Sequence, residues 1–159
     1  MKLSIKTTVL SLAVVLATTT ALYAAKVQLK NSVTPVFVDQ GLTAQLCATL
    51  TGLGNGDVTI TLVAAGEVST LCTNPAGNFA PGHDLEVVVM GQTSIPSTEI
   101  KNGNVNFCVT TVAPSNPTAK AAGCPNNNWT ATITDVAFSA PVLIVEQGGK
   151  VVLRTRIDL

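Results

Sequence analysis

From residue 26 onward the chain is written in short runs of alternating apolar and polar residues, cut by Gly, Asn and Pro. That rhythm predicts strands, and nothing in it has the 3.6-residue period of an amphipathic helix longer than a turn or two. Lys26 to Lys30 alternates, with Val27 and Leu29 on one side, and Val33 to Val38 is extended, with Pro35 marking an edge or kink. Leu42 to Leu50 places Ala44, Leu46, Ala48 and Leu50 on one face and Gln45, Cys47 and Thr49 on the other. Val58, Ile60 and Leu62 alternate with Thr59 and Thr61, the pattern of a half-buried strand. Ala65-Gly66 predicts a hairpin turn into a strand from Glu67 to Cys72, and Thr73 to Asp84 reads as loop. Leu85 to Met90 is the next strand. Ile95 to Ile100 and Val105 to Val112 flank Asn102-Gly103, a strong hairpin signal because both residues tolerate positive φ.

Pro114 to Asn128 predicts a second long loop. Trp129 to Phe138 changes phase: Trp129, Ala131 and Ile133 share one parity, Val136 and Phe138 the other. One extra residue near Thr134 or Asp135 would return both sets to the same face, so a β-bulge is expected there. Val142 to Glu146 and Lys150 to Ile157 form a hairpin across Gln147-Gly148-Gly149. Val151, Leu153 and Ile157 are expected inward, and Lys150, Arg154 and Arg156 outward. Eight to ten short strands without helices predict an all-β fold, an antiparallel immunoglobulin-like β-sandwich, with a small β-barrel as the alternative.

The first 24 residues have a different pattern. Lys2 and Lys6 precede a nearly unbroken apolar run from Val9 to Ala17, followed by Thr18 to Thr20 and the small residues Ala21, Ala24 and Ala25. That order is the signature of a cleaved secretory signal peptide, with cleavage expected after Ala24 and, failing that, after Ala21. The competing reading, a retained anchor, needs Val9 to Ala25 to span about 30 Å of hydrocarbon, for which it is only marginally long. No comparable apolar span follows, so no membrane span is expected after cleavage. Residues 25–159 then form a single β-sandwich domain in the extracellular space, at the cell surface or in the periplasm.

Loss of Lys2 and Lys6 leaves seven basic residues against nine acidic ones. Without a basic stripe to neutralise phosphates, nucleic acid is not an expected partner. Cys47, Cys72, Cys108 and Cys124 are even in number, lack CxxC spacing and sit in a chain with one histidine, so they predict two disulfides rather than a metal site. Cys47 and Cys108 both lie mid-strand with polar-face parity, and Cys72 and Cys124 border the two long loops. Matching environments therefore pair Cys47 with Cys108 and Cys72 with Cys124, among the three connectivities possible.

Candidate chemistry is sparse. His83 lies in a Pro-Gly-His-Asp turn, where a solvated loop residue is the simpler account than a catalytic base. Glu67, Asp84, Glu86, Glu99, Asp135 and Glu146 could in principle supply a glycosidase pair, but they are scattered along the chain; a deep pocket with two converging carboxylates would count against a non-enzymatic reading. Asn55 with Asp57, and Asn102 with Asn104, offer oxygens near turns without the carboxylates of a calcium loop. No catalytic residue, cofactor or metal is expected. Trp129 is the candidate ligand contact, since sugar-binding sandwiches usually present aromatic rings; packing against a nearby disulfide is its simpler role. Asn128-Trp129-Thr130 also fits a glycosylation sequon.

The segments Cys72-Thr-Asn-Pro-Ala-Gly-Asn, Ile100-Lys-Asn-Gly-Asn-Val and Cys124-Pro-Asn-Asn-Asn-Trp-Thr-Ala-Thr-Ile-Thr-Asp-Val resemble those of uncharacterised small secreted bacterial β-domain proteins. The resemblance spans most of the mature chain. It implies a bacterial exported β domain and carries no established activity or site residue. The expectation is a secreted, non-enzymatic structural or interaction domain with a protein or glycan partner at the cell surface, and a carbohydrate-binding or adhesion module as alternative. Lys26 to Val38 and Lys150 to Leu159 are candidate edges for strand addition, although Pro35, Lys150, Arg154 and Arg156 would also guard those edges.

Overall fold

The computed structural model describes residues 26–158; the proposed signal peptide, 1–24, lies outside them. Nine strands follow in order: β1 (Gln28–Leu29), β2 (Val36–Asp39), β3 (Ala44–Thr51), β4 (Val58–Thr73), β5 (Phe79–Pro81), β6 (Leu85–Ile95), β7 (Val105–Thr110), β8 (Thr130–Gln147) and β9 (Lys150–Arg156). They make two antiparallel sheets packed face to face, an all-β sandwich. In the smaller sheet, β3 pairs with β7 on one side and with β1 and β2, end to end, on the other. In the larger sheet, β4 pairs with β6 and β5 on one side and with β8 on the other, and β9 lies outside β8.

Alternation builds the core. Leu46, Leu50, Val58, Ile60, Leu62, Phe107, Val109, Leu143 and Val145 all turn inward and are buried together. A smaller cluster of Val68, Ile133 and Val136 continues it toward the far end of β4 and β8. At about 25 cal/mol per Å2 of apolar surface removed from water, these residues supply most of the drive to fold.

Several sequence expectations need correction. Ala65-Gly66 is not a hairpin turn. β4 runs straight through it, with every second residue from Val58 to Cys72 buried. Gly66 stands in the strand between Val87 and Phe138, and a Cβ there would meet Val136 Cγ1 at 2.7 Å, so close packing rather than a turn explains the glycine. The loop expected over Thr73 to Asp84 contains β5, a short edge strand that tolerates Pro81. Ile95 to Ile100 is not a strand: β6 ends at Ile95 and a 3-10 turn, Ser97–Glu99, carries the chain to the other sheet. Asn102-Gly103 does make its tight turn, with φ of 50° and 72°, but the turn joins this crossover to β7.

The expected bulge is present. Ser69 pairs with Asp135 and Thr70 with Ile133, leaving Thr134 as the extra residue, and both Ile133 and Val136 reach the core. A second irregularity at Ala140-Pro141 joins the two strands read separately from the sequence into the single β8. A third, at Val152, turns Val151 out to solvent, contrary to its expected inward position, while Leu153 and Ile157 pack on the core. Along one side the two sheets meet. The Val112 N–H donates to the Met90 carbonyl at 2.9 Å, and a Cβ on Gly91 would fall on the Thr110 carbonyl oxygen.

Both disulfides have the expected pairing. Cys47 and Cys108 are directly opposed on β3 and β7, with Cα atoms 4.1 Å apart. Cys72, fully buried on β4, holds Cys124 in the second long loop, Cα to Cα 5.7 Å. No cysteine among the described residues is free.

Candidate interaction surface

The outer face of the larger sheet is the least ordinary surface of the protein. A one-sided antiparallel sheet normally presents polar residues to water. Here the inward parity of β4 leaves Val63, Ala65 and Glu67 pointing outward. Register then fixes their neighbours. Val63 lies between Met90 of β6 and Val142 of β8; Ala65 lies between Val88 and Ser139; Glu67 lies between Glu86 and Ala137. One row back, Thr61 is flanked by Gln92 and Ile144. Val88 is 69% exposed and Met90 60%, and Val112, hydrogen-bonded beside Met90, is 71% exposed. The centre of this face is therefore apolar, half-buried at Val63, Val142 and Ile144 and exposed along its β6 side, a feature that marks interaction surfaces.

Charge frames the apolar centre at opposite corners. Glu67 and Glu86 are directly opposed across β4 and β6, an arrangement that costs stability through like-charge repulsion. Asp135 stands one row further along, beside Ser69. Diagonally opposite, Arg154 and Arg156 of β9 flank Ile144 and Val142. A groove of about 670 Å3 is lined where β6, β4 and β8 run side by side over Glu86–Val88, Ala65–Glu67 and Ala137–Ser139, so Glu67 and Glu86 both border it. The two carboxylates lie side by side on one exposed surface. Paired-carboxylate hydrolysis instead places its two groups on opposite sides of the bond that breaks.

The remaining sequence candidates fall elsewhere. His83 is exposed. Its N–H donates to the Ala122 carbonyl at 2.7 Å, and its own carbonyl accepts from Thr70 Oγ1 at 2.9 Å, which makes it a staple between loops. Asp57 accepts the Ser97 N–H at 2.8 Å, and Asn104 Nδ2 donates to the Asn102 carbonyl, so turn formation occupies both of those polar groups. Glu99 sits on the 3-10 turn and Glu146 opposite Thr59, away from Glu67 and Glu86. Among the described residues no three His, Cys, Asp or Glu side chains are grouped to hold a metal ion. Trp129 is half-buried at the start of β8, its N–H bonded to the Asn126 carbonyl, and is not among the core residues. Its end of the sheet carries the exposed Phe79, two strands away through the Thr73–Thr130 pair.

No family model, curated protein or solved structure matches the chain significantly.

The two candidate edges are edges in fact. β2 pairs only with β3, and β9 only with β8, among the described residues. Beside β2 a second cavity of about 490 Å3 is lined by Pro35, Val36, Phe37, Asp39, Phe138 and Asp158, with the Phe37 and Phe138 rings edge to face at 6.4 Å. The apolar outer face was missed in the sequence, yet a signal existed. Leu62 to Ala65, Val87 to Met90 and Val142 to Val145 are unbroken apolar runs, and any strand through them must turn half of its apolar residues outward.

Proposed function

We propose that the mature chain is an exported, non-enzymatic β-sandwich domain of immunoglobulin-like type that works by binding, as a structural or interaction component at the cell surface or outside it. The observation that carries this reading is the apolar centre of the larger sheet's outer face, where Val88 and Met90 are exposed and Val63, Val142 and Ile144 half-buried beside them, on a face where water would favour polar residues. Export is supported by the signal-like N-terminus and by two disulfides, which persist in oxidising compartments. Among the described residues no helix is long and apolar enough to cross a membrane. The resemblance to small secreted bacterial β-domain proteins points to the same setting.

The test is made on the producing cells. Mass spectrometry of the exported protein is expected to give a mature N-terminus at Ala25. Val88→Lys with Met90→Lys is expected to leave secretion intact while releasing the protein from its surface or matrix location. Unchanged retention of that variant would overturn the binding role of this face. The second reading, a carbohydrate-binding or adhesion module, rests on Phe79 and Trp129 at one end of the sheet. A glycan array on the mature protein and on Trp129→Ala separates the two, since only the carbohydrate reading expects a signal that the substitution removes.

A further inference from the structure

We infer that the outer face of the larger sheet is covered by a second copy of this chain in a two-fold dimer; this rests on the binding role assigned to that face. The face is complementary to itself. Its acidic corner, Glu67 with Glu86, lies toward β6 and β4, and its basic corner, Arg154 with Arg156, lies on β9 at the other end of the diagonal, with the apolar rows of Val63 and Ala65 between. A two-fold axis lying in the interface, crossing near the Ala65–Ser139 pair and perpendicular to that diagonal, exchanges the corners. It sets the arginines of each copy over the glutamates of the other and apolar centre over apolar centre. The strands of the two copies then cross steeply, within the orthogonal class of sheet packing. An isologous contact of this kind satisfies both charged corners at once, whereas a partner of single charge would answer only one.

The opposed glutamates gain most. Side by side within one copy they repel, and a pair of guanidinium groups above them converts that repulsion into charge-assisted contacts. Four strands at about 4.8 Å and ten residues at about 3.4 Å give each copy a face of about 19 by 34 Å. Because the strands cross steeply, the two faces overlap over a square of about 19 Å on a side, on the order of 400 Å2 before the relief of the side chains is added, which is about half of a standard stable interface, so the charged corners carry a large share of the affinity. Ala65 and Ser139 keep the middle of the face low, so the backbones can approach.

Sedimentation equilibrium of the mature protein is the test. The wild type is expected to be dimeric at ~100 μM. Arg154→Glu with Arg156→Glu, and separately Glu67→Arg with Glu86→Arg, should each weaken the dimer on the order of 100-fold. An equimolar mixture of the two charge-reversed proteins should restore it, because both corners again meet their opposites. Met90→Lys should also give monomer, with a wild-type circular dichroism spectrum as the check on folding. A monomeric wild type at that concentration, or a dimer that survives Met90→Lys and both reversals, would overturn the inference. If the wild type is monomeric while Val88→Lys with Met90→Lys still releases the protein from cells, self-association fails and the binding role of the face stands.

Discussion

At Gly91 the backbones of the two sheets pass too close to admit a side chain. This glycine lies on β6 opposite Leu62, and any side chain there would occupy the position of the Thr110 carbonyl oxygen on β7. Because the obstacle is backbone, it cannot turn aside as a side chain would. Gly91→Ala is expected to destabilise the protein by about 3 kcal/mol in urea unfolding. Gly56→Ala, where the neighbour is the flexible Gln147 side chain at 3.4 Å, should cost far less. Equal effects would show that the β6–β7 approach does not hold the sandwich closed. The need for glycine at 91 is invisible in the sequence, because it comes from a residue 19 positions away in another sheet. Asn102-Gly103 is the opposite case, since a turn's demand for positive φ is local and can be read directly. The cysteines fall between. Parity matched Cys47 with Cys108 but did not choose between neighbouring strands and strands in opposite sheets; the structure makes β3 and β7 neighbours.

At the scale of elements, the bulges decide which residues reach the core. Thr134 is the extra residue that lets Ile133 and Val136 both face inward. Deleting Thr134 would restore regular pairing and force one half of β8 to show its apolar side to water. The deletion variant is expected to lose its cooperative thermal transition; a transition near that of the wild type would mean β8 tolerates either register. This bulge was legible because apolar residues changed parity within one run. The irregularity at Ala140-Pro141 was not, since a proline after a small residue reads as a strand end, and only the pairing of β4 with the whole of β8 shows the strand continuing. The two disulfides act on the same elements. They close loops of 61 and 52 positions, so the chain-entropy estimate is about 4 kcal/mol for each. Replacing both Cys47 and Cys108 by Ala should lower stability by up to that amount in guanidinium unfolding. Cys72→Ala with Cys124→Ala should do more local harm, because the loop it anchors carries Asn116 onto Ile133 of β8 and Ala122 onto His83. The reverse ranking would mean that the loop is held by its hydrogen bonds alone.

Across the whole molecule, a stable frame carries an unsatisfied surface. The frame was largely legible: strands, sandwich, bulge and disulfides follow from alternation, parity and cysteine placement. The surface was not, because a run such as Val87 to Met90 states that residues are apolar without stating which side is covered. Only the register of β6, β4 and β8 gathers Met90, Val63 and Val142 into one row, and only the order of the strands places arginines and glutamates at opposite corners of it. That the row serves binding is the central claim, and photo-crosslinking in place tests it most directly. A photoreactive residue substituted for Met90 in the exported protein, activated on the producing cells, is expected to give a discrete covalent adduct. The same residue at Thr132, exposed on the same face but beyond the apolar rows, should give little. Equal yields at the two positions, or none at Met90, would contradict the account.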